Sequence, residues 1–224
     1  MRRSVTTFFA VFTALFLIMN GCAKKEETSL TMKKGMEGSE TPAVPSGAPI
    51  TEERTLFSFE GDEQGFEIPF WAQDKEDHVA ESLEVSEEVA SDGTMSLKID
   101  CDFPGGMWSA GLVELEQYLN FEPYRQIAVD IYLPKDAPLG LRAKMILTYG
   151  EGWTFTEMNR VIPLIPGEWV TVKASVEPGS YDWKKVIPDE TFRRDIRKLV
   201  VRIESNRQPV YKGPVYIDNI RIGK

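Results

Sequence analysis

From Arg54 to the C-terminus, apolar and polar residues alternate in short runs broken by Gly, Pro, Asn and Asp. In "QIAVDIYLP", Ile127, Val129 and Ile131 point one way while Asp130 and Tyr132 point the other; in "KLVVRIES", Leu199, Val201 and Ile203 oppose Val200, Arg202 and Glu204. The same period of two predicts strands near Thr55–Gly61, Glu81–Val89, Thr94–Phe103, Ala110–Glu116, Gln126–Leu133, Arg142–Tyr149, Phe155–Ile162, Trp169–Ser175, Lys198–Glu204 and Gly213–Ile222. Only "PDETFRRDIRKL" has helical spacing, through Phe192, Ile196 and Leu199, with Asp189 placed to cap it. Many strands with one short helix predict an all-β fold, an antiparallel β-sandwich of jelly-roll type, and about 170 residues suit a single core of that kind.

Residues 1–53 break the pattern. "MRRSVTTFFAVFTALFLIMNGC" places two arginines before an apolar run and closes on a small residue and a cysteine, which predicts a secretory signal over 1–21. The close "MNGC" resembles a bacterial lipobox, with Gly21 at its small position and Met19 and Asn20 departing from its commonest residues. That resemblance implies cleavage before Cys22 and its acylation, hence a membrane-anchored lipoprotein outside the cytoplasm. Ala23 is not the Asp that retains such proteins at the inner membrane, which favours an outer membrane where one exists. A single membrane-spanning anchor is the alternative, although the run is short for a span of ~20 residues. Residues 22–53, charged and rich in Gly, Pro and Ser, read as a disordered tether before the 54–224 domain.

The formal charge is −9, and −11 once Arg2 and Arg3 are removed with the signal. A chain this acidic is a poor partner for nucleic acid or anionic lipid surfaces. With Cys22 lipidated, Cys101 has no disulfide partner and is expected to pack as a small apolar group. His78 is the only histidine and lies in the polar stretch "WAQDKEDHVAES", where a solvated loop side chain is expected. Catalysis by Ser-His-Asp or Cys-His would rest on that one residue, and a His-rich zinc site is impossible. No phosphate-binding glycine loop and no HExxH spacing occur, and abundant carboxylates alone do not identify a glycosidase, so no enzymatic activity is expected.

Asp218 stands amid Val215, Ile217, Ile220 and Ile222 in the last predicted strand, where Asp is uncommon. A bulge or turn, a solvent-facing position and a metal ligand would each account for it. "LFSFEGDEQGFE", "ASDGTMSLKID", "YRQIAVDIYLP", "IPGEWVTVKASV" and "GPVYIDNIRIGK", in that order, resemble the β-jelly-roll carbohydrate-binding modules of the galactose-binding-like superfamily, nearest the family-eleven-like modules of bacterial glucanases and mannanases. The resemblance spans Leu56–Gly223. It implies a structural calcium held by Glu60, by the turn around Asp92 and Thr94, and by Asp218, with a bulge or backbone hydrogen bonds as the other account of that aspartate.

A sugar site needs aromatic platforms flanked by planar hydrogen-bonding groups. Trp71, Trp108, Tyr132, Tyr149, Trp153, Tyr181 and Trp183 are candidate rings, whereas the resemblance puts Trp169, in "PGEWVTV", at a packing position of the family and so implies a place in the core. The resemblance implies a β-glucan- or mannan-type polysaccharide bound in a cleft through Asp130, Tyr132 and Arg202; Glu204 joins Asp130 and Arg202 as an outward charge, and Tyr149 and Trp153, either side of a glycine turn in "YGEGWTF", are placed to overhang the groove. A salt bridge across neighbouring strands is the competing account of Asp130, Arg202 and Glu204. The same fold also serves as a protein-interaction module of cell-envelope assemblies, which is the second functional expectation.

Overall fold

The computed structural model describes residues 49–224; the expected signal segment, Cys22 and nearly all of the tether lie outside the described residues. Among the described residues, eleven strands form two antiparallel sheets. In one, the order is β2 (Ala80–Ser86), β3 (Ser96–Phe103), β11 (Tyr211–Gly223), β5 (Gln126–Tyr132) and β9 (Trp169–Ser175), with β1 (Glu53–Phe57) also pairing β11. In the other, the order is β4 (Trp108–Leu119), β10 (Ile196–Asn206), β6 (Leu141–Tyr149) and β7 (Thr154–Glu157), with β8 (Ile162–Pro163) also on β6. The expected β-sandwich is therefore present.

Its core forms where the apolar parities of the two sheets meet. Ile99, Ile127, Val129, Ile131, Val215 and Ile217 from the first sheet and Val113, Met145, Leu147, Leu199, Val201 and Ile203 from the second are all buried. Cys101 is buried among them and unpaired. Phe57 and Phe59 close one part of the core by meeting the edge of Phe66 at ring-centre distances of 5.3 and 5.5 Å.

Two local expectations change. The helix is one turn long, α2 (Glu190–Arg194), with Asp189 as its cap, accepting from the Phe192 N–H at 2.8 Å. Ile196 and Leu199, expected on that helix, instead begin β10, where alternation continues to Ser205. The strand expected over Phe155–Ile162 is interrupted after Glu157. Met158 donates its N–H to the Met145 carbonyl at 3.0 Å, bridges to Trp183 and buries its side chain. A four-residue helix, α1 (Phe70–Gln73), lies beside β4 and was not expected.

Candidate carbohydrate-binding face

The outer face of the β4–β10–β6–β7 sheet gathers the unusual side chains. Cross-strand register sets them in rows: Glu116, Lys198, Thr148 and Phe155; Glu114, Val200, Ile146 and Glu157; Leu112, Arg202 and Lys144; Ala110, Glu204 and Arg142; and Trp108 beside Asn206. Same-face rows in a strand are about 7 Å apart, so the face from Trp108 to the Glu116 row runs roughly 25 Å.

Trp71, Leu112, Glu114, Ile146, Thr148, Trp153, Phe155, Lys198 and Val200 line a groove of about 260 Å³ on this face. Its rings stay in solvent: Trp71 is 49%, Trp153 45% and Phe155 57% exposed. α1 presents Trp71, whose indole Nε1 donates to the Glu114 carboxylate oxygens at 3.1 and 3.3 Å. Trp153 sits in the glycine turn between β6 and β7, in a left-handed conformation (φ 50°), and donates its N–H to the Gly150 carbonyl at 3.0 Å. Arg197 stacks over Trp153 and Tyr118, 5.7 and 5.2 Å from their ring centres.

The polar floor is a chain of ion pairs. Lys198 donates to Glu114 at 2.9 Å; burial opposes its charge, but Glu114 and then Glu116 outweigh that and raise its pKa. Further along, Arg202 reaches Glu157 at 2.7 Å and Glu204 at 2.9 Å, Arg142 reaches Glu204 at 2.9 Å, and Lys144 lies 3.4 Å from Glu157, which Lys184 also contacts. Trp108 covers Arg202 with its ring centre 5.6 Å away. Burial pulls the Lys144 pKa down despite Glu157; the Glu157 pKa is pushed up by burial and pulled further down by its cations, ending low.

Of the residues the sequence nominated for ligand binding, Trp153, Arg202 and Glu204 share this face. Asp130 and Tyr132 lie on the outer face of the opposite sheet. Asp130 is buried and saturated: Thr171 Oγ1 donates to it at 2.6 Å, Ser91 Oγ and Asn219 Nδ2 at 3.1 Å, and Arg221 at 2.8 Å. That carboxylate is a structural acceptor. Tyr132 packs on Trp169 and Tyr216 at 5.4 and 6.1 Å, so Trp169 is half-buried on this outer face and not in the core. Tyr149 turns its ring onto Phe192 at 4.8 Å. Trp183 is buried, donating Nε1–H to the Ser175 carbonyl at 2.8 Å, and Tyr181 is exposed in the loop after β9.

Glu114, Lys144, Phe155, Glu157 and Lys198 were not singled out from sequence, although a signal was present. "LVELEQYL" repeats acids at Glu114 and Glu116, and "LRAKMILTY" repeats cations at Arg142 and Lys144, each at the two-residue period of one face.

The residues expected to hold calcium are arranged differently. Glu60 accepts the N–H groups of Thr94 at 2.8 Å and Met95 at 2.9 Å and the Thr94 hydroxyl at 2.9 Å, and the Met95 and Thr94 N–H groups hold its pKa low. Gly93 (φ +70°) makes this approach possible, because a Cβ there would lie 2.2 Å from Glu60 Oε1. Asp218 is fully buried and accepts from the Ser91, Asp92 and Asn219 N–H groups at 2.7, 3.0 and 2.6 Å. Its pKa is nonetheless raised, because burial exceeds those bonds. Calcium takes oxygen donors, whereas Asp92 and Thr94 point N–H groups at these carboxylates. Among the described residues no group of three His, Cys, Asp or Glu side chains converges as a metal site. The arrangement does not fit calcium; it fits the alternative of a bulge with backbone hydrogen bonds. The β5–β11 register shifts between Asp218 and Arg221, with Asn219 left-handed at φ 48°.

His78 is half-buried and not solvated, its segment bridging to Ala110. Burial holds its pKa below the usual imidazole value, outweighing the Ala80 backbone and Asp77.

The two-sheet antiparallel sandwich is a fold shared with solved carbohydrate-binding modules. No protein-family model and no curated protein matches the chain. Solved structures do match in fold. The CBM27-1 module of Caldicellulosiruptor saccharolyticus, solved in complex with mannohexaose, has a TM-score of 0.54 at 21% identity, covering 76% of this chain and 96% of that one. A CBM28 module specific for non-crystalline cellulose has a TM-score of 0.54 at 16% identity, covering 78% of this chain and 96% of that one.

Proposed function

We propose that the domain binds polysaccharide, without cleaving it, along the outer face of the β4–β10–β6–β7 sheet. The observation behind this reading is the exposure of Trp71, Trp153 and Phe155 around one groove whose floor offers Glu114, Lys198 and Thr148. Flat rings match the C–H faces of sugars, and the charged and hydroxyl groups between them match sugar hydroxyls. The ~25 Å length of the face suits an extended chain more than a single sugar.

The carboxylates facing this side are already engaged: Glu114 by Trp71 and Lys198, Glu157 and Glu204 by the cations beside them. That favours binding over hydrolysis, which requires one carboxyl poised as an acid and a second free as nucleophile or base. The fold neighbours, one holding mannohexaose and one specific for non-crystalline cellulose, support a polysaccharide with a β-glucan- or mannan-like backbone. We further place the domain outside the cytoplasm on an acylated Cys22, held off the membrane by the tether, with the outer membrane favoured; the "MNGC" close supports this.

The test is a glycan-array screen of the chain from Ala23 onward, with β-glucans, mannans, polyuronates and peptidoglycan fragments, followed by titration of Trp71→Ala and Trp153→Ala. Binding of one glycan class, weakened about tenfold or more by each variant, is expected. Silence from folded protein across the array would discard the reading in favour of a protein partner in the envelope.

A further inference from the structure

Beyond the aromatic groove, the same face changes character. Around β6 and the second half of β10, four cations, Arg142, Lys144, Lys184 and Arg202, converge on only two carboxylates, Glu157 and Glu204. Further along the face, Glu114 and Glu116 share Lys198, at 2.9 and 3.5 Å, and pair with none of these four cations. A local excess of two positive charges therefore sits on a protein whose formal charge is −9.

The excess is costly to maintain without a purpose. Lys144 is 1% exposed, and its ammonium has the Met158 carbonyl at 3.2 Å and a shared carboxylate at 3.4 Å. The Nε atoms of Arg142 and Arg202 are buried without a hydrogen-bond partner. Buried cations normally match their carboxylates in number and use up their donors. Here the two deeper cations, Lys144 and Arg202, are covered, while Arg142 and Lys184 keep about a third or more of their side-chain surface in solvent. The uncompensated charge can reach a ligand through those two.

We propose that the glycan bound by this face is anionic, a uronic-acid-bearing polysaccharide whose carboxylates meet Arg142 and Lys184 while neighbouring sugar rings lie on the tryptophans. The inference rests on the proposed polysaccharide-binding function and specifies its ligand class. The acidic surface elsewhere does not forbid it, because at physiological salt charges beyond about 8 Å are largely screened, whereas a guanidinium–carboxylate contact at the face is not.

The experiment titrates the chain from Ala23 onward with two matched pairs: polygalacturonate against its methyl ester, and β-1,4-linked mannuronan against β-1,4-mannan. Affinity at least tenfold higher for the acid in one pair is expected, falling toward the neutral value in 0.5 M NaCl. Arg142→Gln and Lys184→Gln should each narrow that preference severalfold; each leaves its carboxylate another cation, so both variants should fold, checked by circular dichroism. Equal affinity for acid and neutral partners, or a preference unmoved by either variant, overturns the anionic assignment and leaves the polysaccharide reading standing. Absence of binding to every glycan, acidic or neutral, overturns both. Poly-glutamate binding as tightly as the polyuronates would overturn the glycan assignment in favour of an acidic protein partner.

Discussion

Asp218 shows how much one buried carboxylate can organise. Its side chain is spent on three backbone N–H groups that no ladder partner satisfies, two from the turn before β3 and one from the bulge in its own strand. Removing it leaves those donors unpaired, and hydrogen bonds to a charged group contribute more than neutral ones, so Asp218→Ala is expected to cost about 3 kcal/mol. The loss should be the same in calcium and in chelator when followed by urea unfolding; a loss confined to calcium buffer would restore the metal. His78 gives a pH signature. Its folded pKa lies below the unfolded value, so the unfolded chain takes up the proton first, and stability falls as pH drops below about 6.5. Melting temperatures at pH 7.5 and 5.5 should differ in the native chain, and His78→Leu should shrink the gap. Cys101, buried with its thiol pKa raised by burial, should resist Ellman's reagent until the protein unfolds.

At the scale of elements, β10 does two jobs because its parities are so unlike. Leu199, Val201 and Ile203 face the core, while Lys198, Arg202 and Glu204 stand on the outer face, Lys198 in the groove and the other two beyond it. A register slip of one residue would exchange the faces and bury the ion pairs, which fixes β10 between β4 and β6. Removing one member of the network strands its partners: Glu157→Ala takes an anion from Lys144, Arg202 and Lys184 together and is expected to destabilise by about 3–5 kcal/mol, measurable by urea unfolding. The short helix α2 was foreseen through its Asp189 cap, yet helical spacing in "TFRRDIRKL" coexists with strand alternation beyond Ile196. Pairing of β10 with both β4 and β6 decided that contest.

At the scale of the whole molecule, the ends of the domain are joined. β1 pairs β11, Thr51 donates its N–H to the Lys224 carbonyl at 2.9 Å, and Lys224 returns a bond to the Glu52 carbonyl at 2.9 Å. Phe57 then enters the core beside Phe66. Deleting residues 49–57 should therefore lower the melting temperature by 10 °C or more or prevent folding, since a Phe removed from a core alone costs roughly 3–5 kcal/mol. Much of this architecture was legible, because a period of two survives in nearly every strand and its parity identifies the buried side without reference to any partner. Arg202 and Glu204 were legible as outward charges for the same reason, and Trp153 as a ring raised on a glycine turn. The sequence by itself thus determined the strands, their buried faces and the all-β class. Only the tertiary structure decided which strands became neighbours, and so which outward residues met. Asp130 and Arg202 have the same outward parity, yet they fell on opposite sheets, one saturated by Thr171 and Arg221 and the other beneath Trp108. Parity is a local property of a strand, whereas a site requires side chains distant in sequence to share one surface, and that depends on the order in which the sheets are assembled.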